Sequence, residues 1–187
     1  MLLSDGELVP YYSACPSPTL LLMESFENGG SIPANWTTTV VNNPGTAPVI
    51  TFPSTSTNPS GFTPTDGTYM VAFNSYSATS GAQIRLRSTA AFSTTSTTNI
   101  EVHFDWLQSS SYTTSNDGVE VQYSTDGTTW INAGFYSRYN ASAGWTQKVC
   151  NLPVGAENKA TVYIAFLFTS QYGDNCHLDN VRITGCS

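Results

Sequence analysis

The sequence predicts an all-β fold, an antiparallel two-sheet β-sandwich of the jelly-roll type, and three observations carry that prediction. Charged residues are only 10% of the chain and aromatics 12%, alongside abundant Ser, Thr, Asn and Gly. Helix surfaces need Glu, Lys, Arg and Ala, whereas short half-buried strands joined by polar turns suit this mixture. Segment after segment alternates apolar and polar side chains, and no stretch shows helical periodicity. The turn Ser124-Thr-Asp-Gly-Thr-Thr-Trp130 contains Asp-Gly, a strong hairpin signal.

Residues 1–18, with Pro10, Pro16 and Pro18, read as a lead-in arm or linker, and residues 19–187 as one jelly-roll domain. That is enough chain for one core between two sheets. Residues 19–26 form the first strand. A Gly- and Pro-containing turn then leads to Trp36, placed to plug the end of the core, and residues 36–41 form the next strand. Residues 42–64 are a long Pro/Ser/Thr/Asn-rich loop, too polar for core and long enough to carry function. Residues 65–74 are a turn and strand. In residues 82–88, Ile84 and Leu86 point inward and Arg85 and Arg87 outward.

Residues 99–108 put Ile100, Val102, Phe104 and Trp106 on one face and Glu101, His103 and Asp105 on the other. Residues 119–124 repeat the pattern, and residues 134–139 and 144–152 add further strands before a turn at 153–159. Residues 161–169 are apolar on both faces, which suits a strand covered on both sides. A final strand alternates through 178–183. The total is about ten short strands.

Composition also excludes function classes. A formal charge of −7 argues against nucleic acid, which wants a basic stripe, and against an anionic membrane surface. The run Leu20-Leu-Leu-Met23 is far too short to insert into a bilayer. Four cysteines, Cys15, Cys150, Cys176 and Cys186, form no C-x-x-C pair, so zinc is disfavoured. Pairing Cys15 with Cys186 would tie the segment before the first strand to the segment after the last. That would leave Cys150 with Cys176; free buried thiols are the alternative. Disulfides imply an oxidising, extracytoplasmic setting. The start Met1-Leu-Leu-Ser-Asp-Gly-Glu7 has no signal-peptide pattern, so a secreted protein would have lost its leader or be represented here in part.

Asp179 is the residue that most needs a partner. Strict alternation would place it inward with Val181 and Ile183, where a carboxylate must be hydrogen-bonded, neutralised or bound to a cation. If the first and last strands lie side by side, Glu27 would meet it, and two carboxylates without a nearby Lys or Arg in sequence suit calcium. Backbone N–H donors in a tight corner are the competing explanation. For ligand binding, Tyr112, Tyr136, Tyr139 and Tyr172 lie in polar, loop-like sequence and offer flat rings to a glycan. Catalysis has less support. His103 and His177 lack a Gly-x-Ser-x-Gly elbow, and Glu101, Asp105 and Glu120, if they share a face, read first as solvated charge.

Three stretches carry a family resemblance: Glu24-Ser-Phe-Glu-Asn-Gly-Gly-Ser-Ile-Pro-Ala-Asn-Trp36, Gly144-Trp-Thr-Gln-Lys-Val-Cys-Asn-Leu-Pro153, and Ile164-Ala-Phe166 through Leu178-Asp-Asn-Val181. Over roughly residues 20–185 the chain resembles the cleaved-adhesin domains of gingipain-type surface proteins and the related MAM and choice-of-anchor jelly rolls of secreted Bacteroidetes proteins. The resemblance implies a non-catalytic adhesive or carbohydrate-binding module, with structural calcium, inside a larger secreted or cell-surface protein. Its partners would be a glycan, a host or matrix protein, and neighbouring domains. It implies Glu27 and Asp179 as metal ligands, with Asp66 and Asn74 as weaker candidates. Many relatives have an acidic residue where Asn180 stands, which lowers the charge here. The alternative class is a structural or assembly subunit, or a spacer, that makes protein contacts without binding glycan.

Overall fold

The computed structural model describes residues 15 and 17–187, so most of the lead-in arm lies outside the described residues. The strands are β1 (Thr19–Glu24), β2 (Trp36–Asn42), β3 (Ile50–Thr51), β4 (Val71–Phe73), β5 (Gln83–Ser88), β6 (Thr98–Gln108), β7 (Gly118–Ser124), β8 (Ile131–Ser137), β9 (Gly144–Asn151), β10 (Tyr163–Thr169) and β11 (Cys176–Cys186). They form two antiparallel sheets. The six-stranded sheet runs β3-β4-β11-β6-β9, with β1 also paired to β11, and the five-stranded sheet runs β2-β5-β10-β7-β8. Among the described residues the one helical element is a 3-10 turn at Val154–Ala156, and no helix is long and apolar enough to cross a membrane.

The period-two pattern does what it predicts. Ile100, Val102, Phe104 and Trp106 of β6 face inward, and rings interlock across the two sheets, Phe104 on Phe166 (5.6 Å), Trp106 on Phe168 (6.3 Å) and Phe73 on Phe168 (5.4 Å). Trp36 stacks on Phe166 and meets Phe26 edge-on. Each such fully buried apolar side chain contributes roughly 1.5–3 kcal/mol of transfer free energy. β10 is buried along Ile164 to Phe168 on both faces, as its sequence requires.

The first and last strands pair, Glu24 opposite Val181 and Leu20 opposite Thr184. Asp179, however, does not share the inward face with Val181 and Ile183. The β11–β6 register breaks between Asp179 and Arg182, and Asn180 takes a left-handed φ of 50°. This bulge inserts a residue, so Leu178, Val181 and Ile183 all reach the core while Asp179 lies outward, directly opposite Asp105. It is buried there by the chain that crosses the outer face. That chain belongs largely to the 42–64 loop and the turn after it. Polar as the loop is, it supplies β3, buries Phe52 against Phe26, and accepts the Trp145 Nε1–H at the Thr63 carbonyl.

Cys15 and Cys186 form a disulfide, with Cα atoms 5.6 Å apart, fastening the start of the domain to its end. The Cys150–Cys176 pairing is corrected: both are free, buried thiols. β6 stands between their strands, and Cys150 sits opposite Val102 while Cys176 neighbours the Leu107 end, an offset of roughly 15–20 Å along the sheet.

Candidate functional site

The first candidate surface is the corner where the 65–69 turn folds over β11. Asp179 Oδ2 accepts the backbone N–H of Thr65 (2.8 Å) and Asp66 (3.0 Å), and Oδ1 that of Asn180 (2.8 Å). Glu27 Oε1 holds the other end of the turn through the N–H groups of Thr68 (2.9 Å) and Tyr69 (2.7 Å). The turn needs glycine between them, because Gly67 has φ +66° and a Cβ there would run into the Glu27 carboxyl. Glu27 itself is exposed, so the meeting place is a surface corner with one buried carboxylate.

Asp105 is the member that sequence reasoning left out. It faces Asp179 in an antiparallel pair, where like charges destabilise, and one hydroxyl proton, that of Thr65, lies within reach of both carboxylates (2.7 and 3.1 Å). Asn180 Nδ2 donates to Asp105 (3.0 Å). Burial pushes the Asp179 pKa up, against the pull of the Asp66, Asn180 and Thr65 donors. The donors are all oxygen and no ion pair among the described residues involves them, which fits a hard cation in ligand type. Among the described residues no three His, Cys, Asp or Glu side chains converge closely enough to hold a metal, so backbone carbonyls would have to complete any shell. Asn74 is not part of this corner. It lies past the far end of β4, bonded to Val49 N–H and the Ala47 carbonyl.

The predicted tyrosines separate into two groups. Tyr112 and Tyr172 are 45% and 51% exposed on loops at the end of the sandwich where β11 begins, both with left-handed φ (53° and 59°), and Tyr112 meets the exposed Tyr76 edge-on at 6.1 Å. Tyr136 instead packs its ring on Phe104 (5.0 Å) and gives its hydroxyl to the Val149 carbonyl, and Tyr139 is half-buried. Beneath the exposed rings is a feature with no local signature in sequence. Arg138, fully buried, pairs with buried Asp117 through Nε (3.1 Å) and Nη2 (3.0 Å), and also donates to the carbonyls of Ser111 and Tyr112. Ser75 Oγ donates to the second Asp117 oxygen (2.7 Å), and Ser109 Oγ bonds Asp174 close by. The loop bearing Tyr112 is thereby tied to a buried ion pair.

The third surface is the outer face of the five-stranded sheet. Its register sets two rows side by side: Thr37, Arg87, Ala165, Gln122 and Asn132, then Thr39, Arg85, Leu167, Glu120 and Phe135. The Arg85 side chain crosses small Ala165 to donate from Nε to Gln122 Oε1 (2.8 Å), and its guanidinium lies 5.3 Å from the centre of the Trp130 ring. Gln122 is braced in turn by Asn132 Oδ1 (2.7 Å). Alternation marked Arg85 and Gln122 as outward, but only strand pairing could bring them together.

The supposed carboxylate set for hydrolysis comes apart: Glu101 and Asp105 stand on one sheet and Glu120 on the other. His103 bonds Glu101 (3.2 Å), and His177 is buried with neither ring nitrogen bonded, its pKa pushed down to about 4 by desolvation.

Among solved structures, this architecture is similar to a cleaved adhesin domain of Lys-gingipain from Porphyromonas gingivalis, with 22% identity and a TM-score of 0.61 over 90% of this chain and 99% of that one. It is similar also to a Stig cyclase from a Fischerella species (14%, TM-score 0.59, 90% and 98%) and to a carbohydrate-binding module from Caldicellulosiruptor saccharolyticus solved with mannohexaose (18%, TM-score 0.55, 89% and 96%). At these identities the fold is what is shared: an all-β jelly-roll sandwich. No family model matches the sequence, and no curated protein matches it. One of the three similar structures is an enzyme, so the role has to be argued from the surfaces.

Proposed function

We propose that this protein is a non-catalytic adhesive or carbohydrate-binding module of a larger secreted or surface protein. The observation that carries the reading is the outer face of the five-stranded sheet. There exposed Asn132 and the Arg85 guanidinium, both fixed through the almost fully buried Gln122, stand beside Trp130, with exposed Phe135 on the adjoining row. Flat rings for sugar faces and fixed amides for hydroxyls are what a glycan site combines. The likeness to adhesin and carbohydrate-binding domains supports this reading, and the Cys15–Cys186 disulfide supports an extracytoplasmic location. Separation of Glu120 from Glu101 and Asp105 between the two sheets supports a role without glycoside hydrolysis by that set.

A glycan array followed by calorimetry tests it. Trp130→Ala should abolish or weaken retention at least tenfold, roughly the loss of one good stacking contact. Loss in Tyr112→Ala and Tyr172→Ala instead would move the site to the loop end. A wild-type protein that retains no glycan would remove the reading. The competing role as an assembly subunit or spacer has Leu20, Met23 and Val149 in its favour, exposed on the outer face of the other sheet. Light scattering separates the two, since an assembly subunit would self-associate and bind no sugar.

The proposal includes structural calcium at the corner, with Glu27 and Asp179 as carboxylate ligands and Asp66 beside them on the turn. A cation there would lessen the repulsion between Asp105 and Asp179. Binding to the native state alone raises the melting temperature by mass action. Melting with calcium against EGTA should therefore show a shift that Glu27→Gln reduces; identical curves would remove the metal.

A further inference from the structure

Resting on the glycan reading above, we propose that the sugar bound on the five-stranded sheet is anionic, its carboxylate or sulfate group seated by Arg85 and Arg87. These two side chains project from the same face of β5, roughly 6–7 Å apart along the strand. Neither takes part in an ion pair among the described residues, where the pairs are His103 with Glu101 and Arg138 with Asp117. The carboxylate in their own rows, Glu120, shares the outer face of β7 with Gln122, two strands from the β5 backbone, and forms no ion pair with either arginine. Two guanidiniums thus stand side by side, neither in an ion pair among the described residues, on a protein whose formal charge is −7.

Arg85 is also braced in advance. Its guanidinium carbon lies over the Trp130 ring and Gln122 takes its Nε–H, while Asn132 fixes Gln122. Gln122 is almost fully buried, and Ala165 beneath is too small to push the arginine away from the sheet. Among the described residues the Nη groups of Arg85 and the whole Arg87 guanidinium make no hydrogen bond to the protein. A planar fork held in one orientation loses little entropy on meeting a carboxylate or sulfate, and bidentate contacts of this kind are the strong ones. Partial burial, and after it like-charge repulsion from Arg87, lower the Arg85 pKa, and an anion between the two arginines would relieve the repulsion. The surrounding Thr37, Thr39 and Gln83 offer hydroxyls and an amide to the rest of a sugar chain, which favours a glycan over an acidic peptide.

The test is calorimetric titration of the folded protein with uronate oligosaccharides, sulfated oligosaccharides, and the carboxyl-reduced or desulfated counterpart of each. At least one acidic form should bind about tenfold or more tightly than its neutral counterpart. Arg87→Gln and Arg85→Gln, checked for folding by circular dichroism, should bring that form down to the neutral level. Which arm responds distinguishes carboxylate from sulfate. Equal binding of acidic and neutral chains overturns this inference and leaves the glycan reading intact. Preference that survives in both arginine variants overturns the assignment of the site. Polyglutamate bound as tightly as any acidic sugar replaces the glycan by an acidic protein segment. Binding of neither sugar form overturns the glycan reading and this inference with it.

Discussion

Replacing Asp117 with Asn would strip the counter-charge from Arg138, and the structure sets the size of the effect. Both side chains are fully buried, and the Asp117 carboxylate accepts three hydrogen bonds, two from the guanidinium and one from Ser75. Asn keeps the shape and one acceptor but leaves a guanidinium out of water without an anion, which costs about 3–5 kcal/mol. Against a total stability of about 5–15 kcal/mol this is a large share, and at about 2–4 °C per kcal/mol it lowers the melting temperature by roughly 6–20 °C. Urea unfolding at neutral pH measures it. A cycle with Arg138→Met tests the cause, since the double variant removes both charges and should lose less than the two single losses added together. Arg138→Met also frees the Ser111 and Tyr112 carbonyls, so amide exchange in the 109–115 loop should accelerate. A cost below about 1 kcal/mol for Asp117→Asn, or strict additivity in the cycle, would refute the argument.

Three further outcomes follow from single features. Gly67→Ala forces a side chain into a left-handed backbone and onto the Glu27 carboxyl; it should cost roughly 1–3 kcal/mol in thermal or urea unfolding, less when combined with Glu27→Ala. Reducing Cys15–Cys186, whose sequence separation is 171, should lower the melting temperature by the equivalent of about 3–5 kcal/mol, while Cys150 and Cys176 stay unreactive toward a thiol reagent until the protein unfolds. The Asp126 carboxyl is held well below its ordinary pKa of 3.8 by the N–H groups of Thr129 and Thr128. Its contribution is complete above that ordinary value and is lost as pH falls below it, so Asp126→Asn should flatten acid-side stability between about pH 4 and about pH 2 in a denaturation series.

Local rules account for what the sequence made legible. Alternation along Ile100, Val102, Phe104 and Trp106 fixes an inward face whatever the partners, and Asp126-Gly127 fixes a hairpin from within its own turn. The pairing of β1 with β11, which the sequence offers only as a condition, brings Glu27 to the same turn that bonds Asp179. Strict alternation puts Asp179 on the wrong face because one bulged residue reverses every side chain beyond it, and an Asn, though it enters the left-handed region more readily than most residues, does so too seldom for Asn180 to mark the bulge. The separation of Glu120 from Asp105, like the meeting of Arg85 with Gln122 and of Arg138 with Asp117, depends on which strands are neighbours. Alternation says that a side chain points outward; it does not say from which sheet.

That distinction bears on how an acidic protein can hold an anionic chain. At a distance, a formal charge of −7 repels a polyanion, which is why the composition speaks against nucleic acid. Within a Debye length of about 8 Å at physiological salt, a ligand group seated on β5 meets Arg85 and Arg87 first, with Glu120 on β7 as the one carboxylate of these rows. Added salt screens the long-range repulsion as well as the short-range attraction, and the braced Arg85 contact, partly buried, is screened least. Affinity for an acidic sugar should therefore fall much less steeply with salt than the binding of a basic protein to the same chain. Calorimetry from about 0.05 to about 0.5 M salt measures the slope. A steep, counterion-release slope would mean that several scattered cations, rather than two guanidiniums on one face, are holding the ligand, and the arginine pair would lose its role.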